Sequence, residues 1–216
     1  MTLPLVCEYR VDEVHVQVAD VTPLLSPEAI DACLPMVSAQ RRENALAFKH
    51  LQGRALSLGA GLLLDAMLRP QGLREHDLTY AIGEHGKPAI AGHEKLHFNL
   101  SHTSHFVACA VGAHPVGIDI QSPKQRVSEA LMRKTLSDRE REWVTESTDA
   151  SNFFRLWVLK EAWFKCVGSG ITSTFPEFSL EGAAPVALRD DAALFRFHEF
   201  SFADCRGALC INLKNN

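Results

Sequence analysis

The sequence predicts an α+β protein built from two similar α/β halves in one chain, a pseudo-dimer in which each half is a helix packed on a small antiparallel sheet. Three features predict it. Ala45, Phe48, Leu51, Leu58, Leu62, Leu63 and Met67 recur at helical steps, and Phe153 to Val167 forms a second helical run free of Pro and Gly. Short strand-like runs flank both. The Pro-containing hinge Ala113-His114-Pro115 lies near the midpoint and divides the chain into halves of residues 1–115 and 116–216. No repeat is visible residue by residue; the duplication is carried by the order of elements.

In chain order, VDEVHVQV (12–19) alternates and reads as a strand. Ser26-Pro27 opens a short helix to Leu34, with Pro at the first helical position. Ala39 to Leu68 is helical, with a break or a close helix contact expected at Gly53 or the Gly59-Ala60-Gly61 step, and Pro70-Gln71-Gly72 ends it. Leu78 to Ile82 reads as a strand, and GEHGKPAI (83–90) as a Gly-rich turn entering another. KLHFNLSH and FVACAVG follow as two strands joined at Thr103-Ser104, and VGIDIQ (116–121) as a third. Ser128 to Leu136 is helical. Ser137-Asp138-Arg139-Glu140 has the spacing of a capping box, in which the Ser and Glu side chains each bond the other's backbone N–H. After the helix to Val167, Gly168-Ser169-Gly170 is a stop. Short strands are expected at Ile171–Phe178, in pieces over Ala187–Phe200, and at Ala208–Leu213.

The bulk numbers narrow the function. With 46% hydrophobic and 22% charged residues the chain has the composition of an ordinary globular protein, and 216 residues suffice for a sizeable core. A net charge of −4 excludes a global basic field for nucleic acid or an anionic membrane, and basic residues are not interleaved with aromatic ones. The start lacks a basic n-region and a long apolar core, and no apolar run approaches a membrane span, so a cytoplasmic protein is expected. None of the six cysteines forms a C-x-x-C pair, which favours small core residues over metal ligands or disulfides.

One residue breaks the pattern. Asp119 lies in the apolar strand VGIDIQ, beside a glycine that lets another backbone come close. A buried, unpaired carboxylate costs several kcal/mol, so Asp119 needs a cationic partner, a metal or water. WVLKEAWFK supplies candidates. Glu161 and Lys165 are four apart and share a helix face, while Phe153, Phe154, Trp157, Trp163 and Phe164 make the helix apolar nearly all round. A helix like that is buried, so Lys160, Glu161 and Lys165 are expected to line a cleft. Asp119 and Gln121, two apart, point to the same side of their strand. Two carboxylates, an amide and lysines suit Mg²⁺ held to a phosphate-bearing ligand. Spacing alone leaves an internal Asp119–Lys160 or Asp119–Lys165 ion pair equally open.

These motifs resemble a known family. VGID, some forty residues and then WVLKEAWFK are similar to the signature of the 4′-phosphopantetheinyl transferases, in the form of the larger Sfp type. Gly86-Lys87-Pro88, Phe98-Asn99-Leu100-Ser101-His102 and the stretch with Arg41-Arg42, Phe48 and Arg54 match upstream in the same order, so the resemblance covers roughly residues 38–170. It implies an Mg²⁺-dependent enzyme that moves the phosphopantetheine arm of coenzyme A to a serine of an apo acyl or peptidyl carrier protein, releasing 3′,5′-ADP. Coenzyme A would bind between the halves. Asp119 and Glu161 would be metal ligands, with Glu161 taking the serine proton directly or through a metal-bound water. Lys165 would hold the pyrophosphate, and Lys160 would act beside it or orient Glu161. Ser101 and His102 would contact phosphate, Arg41 and then Arg54 the 3′-phosphate, and Lys87 and Pro88 would border the adenine.

Two positions depart from the family pattern. Gln121 stands where many Sfp-type members have a glutamate, so the third metal ligand is Gln121 itself or water. Asn44 is neutral where a second basic residue is common. The rival readings are a non-catalytic relative that binds coenzyme A or a carrier protein, and a different Mg²⁺ enzyme such as a nuclease. Arg133, Lys134, Arg139 and Arg141 are the candidate docking surface for an acidic carrier helix, and with both halves in one chain a monomer suffices.

Overall fold

The structure is a computed structural model that describes residues 2–122, 127–145, 151–170, 175–180 and 185–214. It opens with a hairpin of β1 (Leu5–Val11) and β2 (Val14–Asp20), paired so that Val11 faces Val14 across the turn at Asp12-Glu13. Asp12 takes a φ of 52°, the left-handed turn geometry that the twist of a two-residue hairpin favours. β1 has no counterpart in the sequence expectation. Ser26 caps α1 (Pro27–Cys33) by accepting from Ala29 N, as Ser-Pro predicts.

The long helical stretch divides into α2 (Ala39–Ala47) and α3 (Leu51–Leu68). The break lies at Phe48–His50, ahead of the glycines thought to cause it. Those glycines serve the alternative, close packing: an added Cβ on Gly59 would meet Val21 at 2.3 Å, and one on Gly61 would meet Arg41 Cδ at 2.3 Å. β3 (Tyr80–Ile82) and β4 (Pro88–Ile90) make a separate ribbon. β5 (His97–Thr103) and β6 (Phe106–Gly112) turn at Ser104-His105 and join the first hairpin in a four-stranded antiparallel sheet, ordered β1-β2-β6-β5.

β7 (Val116–Gln121) begins the second sheet, ordered β10-β11-β7 with β10 (Phe195–Phe202) and β11 (Cys205–Asn212). Between them run α4 (Glu129–Thr135), α5 (Asp138–Thr145), α6 (Ser151–Val167) and the short pair β8 (Phe178–Ser179) and β9 (Val186–Ala187). Residues 171–174 of the expected 171–178 strand lie outside the described residues.

The layers follow from which faces are apolar. α3 packs on one face of the first sheet around Leu58, Leu64, Phe98, Val107 and Cys109. α6 packs on the outer face of the second around Phe153, Leu159, Phe164, Ala208 and Cys210. The remaining faces meet each other: Val16, Val18, Ala108 and Ala110 against Ile118, Ile120, Phe200 and Leu209. The order is helix, sheet, sheet, helix, a mixed α/β arrangement with small antiparallel sheets. At one edge β5 and β7 run side by side, linked by side chains in place of a backbone ladder. Ile118 N donates to Asn99 Oδ1 (2.8 Å), Ile120 N to Ser101 Oγ (3.2 Å) and Ser122 N to Thr103 Oγ1 (3.2 Å). The alternating Asn, Ser and Thr of β5 thus satisfy the backbone donors of β7.

Candidate active site

Gly117 sets the closest approach in the site. A Cβ there would lie 2.0 Å from the Ala162 carbonyl oxygen and 2.3 Å from Cys166 N, so the α6 backbone rests directly on β7. That contact places Glu161 and Lys165, one helical turn apart, over Asp119. Lys165 Nζ donates to Asp119 Oδ1 at 2.7 Å and to Ser101 Oγ at 3.1 Å, and Ser101 Oγ donates to the same Asp119 oxygen at 2.8 Å. Asp119 is 6% exposed. Of the partners left open by spacing, Lys165 is the one that holds it.

Glu161 has no such compensation. It is buried, and its Oε1 has no hydrogen-bond partner among the described residues. Burial pushes its carboxyl up from the ordinary carboxylate range, the Asp119 charge pushes it further, and Lys165 opposes both. Two like charges close together, one of them with an unsatisfied oxygen, form a site that a small hard cation completes. Asp119 and Glu161 therefore fit Mg²⁺ with its waters and a phosphate. Among the described residues no group of three or more His, Cys, Asp or Glu side chains is gathered for a metal, so the protein's own share would be these two carboxylates. Gln121 lies half-buried at the end of β7, opposite Arg206, on the pleat side of Asp119.

Two hollows meet at this cluster. One, of about 630 Å³, is lined by Arg41, Asn44, Phe48, Leu100, Ser101 and His102. The other, of about 300 Å³, is lined by His85, Lys87, Pro88, Asn99, Glu161 and Lys165. His102 is exposed on β5; partial burial and then the Lys165 charge hold its pKa down against the pull of Asp119. A neutral His102 can accept as well as donate a proton.

Several expected ligand contacts have other partners. Lys160 does not enter the cleft. It is 1% exposed on the opposite side of α6, donating to Glu140 Oε2 at 2.7 Å and to the Pro176 carbonyl at 2.6 Å. Consecutive helix residues are about 100° apart, so Lys160 and Glu161 cannot share a face. Glu140 is the capping-box residue of α5. Its carboxylate accepts from Ser137 N (2.9 Å) and Phe178 N (3.0 Å) as well as from Lys160. The box was legible in the sequence; that its glutamate would be the counter-ion of a buried lysine was not.

Arg41 reaches the wall of the larger hollow, but its Nε donates to Glu75 Oε1 at 2.6 Å and its guanidinium lies 5.8 Å from the Tyr80 ring centre. Burial alone would lower its pKa; Tyr80 and Glu75 outweigh it and raise it. Glu75, fully buried, also accepts from Ser38 N, Ser38 Oγ and Tyr80 Oη. Arg54 is spent locally on the Phe48 carbonyl (2.9 Å), which ties the α2–α3 turn. Lys87 donates to two backbone carbonyls of the second half, Val116 (2.9 Å) and Cys166 (2.8 Å). Arg133 and Arg141 of the expected docking surface pair with Glu129 and Asp138 of their own helices.

A 4′-phosphopantetheinyl transferase of Bacillus subtilis is 31% identical to the chain over 172 residues, covering 77% of the chain and 73% of that protein. The chain belongs to the 4′-phosphopantetheinyl transferase superfamily. A family model with that description matches residues 115–206, which span β7, α6 and most of the second sheet. The transferase Sfp of Bacillus subtilis strain 168 is 30% identical, with 77% of each chain covered. The transferase HetI of a Nostoc species is 28% identical over 63% of this chain and 61% of its own. The superfamily membership makes the protein a transferase, and Asp119, Glu161 and Lys165 all fall inside the matched segment. No helix among the described residues is long and apolar enough to cross a membrane.

Proposed function

We propose that the protein transfers the 4′-phosphopantetheine arm of coenzyme A to a serine hydroxyl of an apo carrier protein, in a cleft between two pseudo-symmetric halves, with Mg²⁺ as cofactor. The observation that carries this reading is Glu161: a buried carboxylate with an unsatisfied oxygen, beside the Asp119–Lys165 pair and between two hollows of ligand size. Asp119 and Glu161 would hold the metal, with Gln121 or water completing its shell. When bound, Mg²⁺ supplies charge neutralisation on the pyrophosphate and a fixed direction for its oxygens.

The chain's residues do the rest. Lys165, beside Asp119, would present its ammonium to the pyrophosphate, where negative charge accumulates in the transition state. Glu161, directly or through a water, takes the proton of the carrier serine. The serine oxygen forms a bond to the β-phosphorus, the bond from that phosphorus to the bridging oxygen breaks, and 3′,5′-ADP leaves. Ser101 and His102, on β5 beside Lys165, would meet phosphate oxygens. Arg41 meets the 3′-phosphate with the guanidinium donors that Glu75 leaves. Most of the rate enhancement is positioning.

The test is the intact mass of an apo carrier protein after incubation with the protein, coenzyme A and Mg²⁺. A gain of one phosphopantetheine, absent with Glu161→Ala and absent when the metal is chelated, is the expected result. No gain on fatty-acid, polyketide and peptide carriers alike, despite Mg²⁺-dependent binding of coenzyme A, would mean that the chain binds its ligand without transferring it.

A further inference from the structure

Lys87 is the one cation of the sequence-defined set that crosses between the sheets without meeting a carboxylate in the bonds described. It stands at the end of a tight turn closed by Gly83 N to the Lys87 carbonyl (2.9 Å) and by Gly86 N to the Gly83 carbonyl (2.9 Å), with Gly86 at a φ of 85°. The turn carries the side chain away from the β3–β4 ribbon and onto the second half. There its ammonium donates to the carbonyls of Val116, the first residue of β7, and Cys166, in the last turn of α6.

Both acceptors matter to the site. The Cys166 carbonyl is among the last four of α6, which have no intrahelical donor, and a cation there also suits the negative end of the helix dipole. Cys166 follows Lys165 directly, and Val116 precedes Asp119 by three residues. Gly168, at a φ of 76°, closes the helix against the lysine stem: a Cβ on it would lie 3.1 Å from Lys87 Cδ. The C-cap of α6 is thus shaped around Lys87. Burial lowers the pKa of the ammonium, so the charged form depends on the two carbonyls that accept from it.

We propose that Lys87 is a positioning residue. By tying the start of β7 to the end of α6, it holds Asp119 and Lys165 in the arrangement in which they meet at 2.7 Å. This rests on the proposed transfer reaction for what the site does, and it reassigns Lys87 from the coenzyme to the protein's own backbone. His97, at the start of β5, is held down in pKa by burial, then by the Lys87 charge and His114.

The experiment compares wild type with Lys87→Met, Lys87→Gln and Lys87→Arg as full-length chains. Backbone hydrogen exchange is read at the Gly168 amide, which donates to the Phe164 carbonyl at 2.8 Å, and transfer kinetics are read with coenzyme A varied. Lys87→Met is expected to exchange at least tenfold faster at Gly168 and to lose about a hundredfold in kcat, the scale of a 1 Å misplacement, with KM for coenzyme A little changed. Lys87→Arg, whose fork spans two carbonyls, restores most of both, and Lys87→Gln falls between. A raised KM at unchanged kcat with unaltered exchange overturns the inference and returns Lys87 to the ligand. Unaltered exchange with unaltered kinetics overturns it equally. If Lys87→Met does not fold, Lys87→Gln carries the comparison. If wild type modifies no carrier, the transfer reading falls, while the exchange data still decide whether Lys87 holds α6.

Discussion

Replacing Lys160 by Met separates two readings of the same residue. On the family's pattern its ammonium serves the substrate; in the fold it is one end of a buried ion pair whose side chains are 1% and 3% exposed. Methionine matches the lysine stem in length and leaves Glu140 with two backbone donors, Ser137 N and Phe178 N, but no counter-charge. It also strips the Pro176 carbonyl of its donor. Breaking a buried pair from one side costs about 3–5 kcal/mol, because the remaining charge is uncompensated. With a urea m-value of about 2 kcal/mol per M, that moves the unfolding midpoint down by about 2 M. Glu140→Gln should cost a similar amount. The double variant removes both charges and should be more stable than the sum of the singles predicts, by about 2 kcal/mol or more. Urea unfolding of the four proteins measures the cycle. A Lys160→Met protein within about 1 kcal/mol of wild type, with its loss confined to KM for coenzyme A, would refute the core-pair assignment and put Lys160 back in the cleft.

The other predictions concern the site itself. Glu161 has a folded-state pKa above its unfolded value, so its contribution to stability is present below the ordinary carboxylate range and is lost as pH rises through the raised value. Glu161→Gln abolishes that loss: in metal-free buffer, the variant's unfolding midpoint should gain on wild type's between acid and neutral pH, and parallel pH profiles would show that Glu161 carries no such shift. Gly117→Ala drives a methyl into α6 backbone atoms that no rotamer can move; it should cost about 3 kcal/mol or more in urea unfolding, and a change under 1 kcal/mol would mean the helix and strand are not locked together there. Gln121→Glu adds a third carboxylate on the Asp119 side of β7, so half-maximal transfer should need less Mg²⁺; an unchanged metal requirement would place Gln121 outside the metal's reach.

How much of this could be read in advance depended on whether a signal was local. The strand alternation of β2, the Ser-Pro start of α1, the capping box of α5 and the apolar surround of α6 are short-range patterns, and each appears where expected. β1 was not legible. LVCEYRV is an exposed edge strand, and its turn, Asp12-Glu13, lacks the Gly or Asn that ordinarily marks a two-residue hairpin. At Gly53 and the Gly59-Ala60-Gly61 step, where a break or a close contact was open, close contact holds, and the helix interrupts where Phe48 folds back over Gly53, whose missing Cβ leaves room for the ring. Tertiary packing there used the glycine for proximity and put the break elsewhere.

The cations show the same limit more sharply. Helix spacing named Lys160 and Lys165, and the family resemblance added Arg41, Arg54 and Lys87, assigning each to a part of coenzyme A or to the group beside it. A long cationic side chain has enough reach to take any acceptor within several ångströms, and sequence spacing does not list the acceptors. Arg54 takes a turn carbonyl, Lys87 two carbonyls of the opposite half, Lys160 the capping glutamate of α5, and Arg41 a glutamate from 34 residues away. Only Lys165 faces the carboxylate that the apolar strand made conspicuous. What distinguishes it is the helix face it shares with Glu161 and the glycine that brings that face onto β7. The Asp119–Lys165 contact thus follows from one i, i+4 relation and one glycine, where spacing alone left Lys160 equally open. Arg54, Arg41 and Lys160 instead fasten the α2–α3 turn, the buried Glu75 and the start of α5.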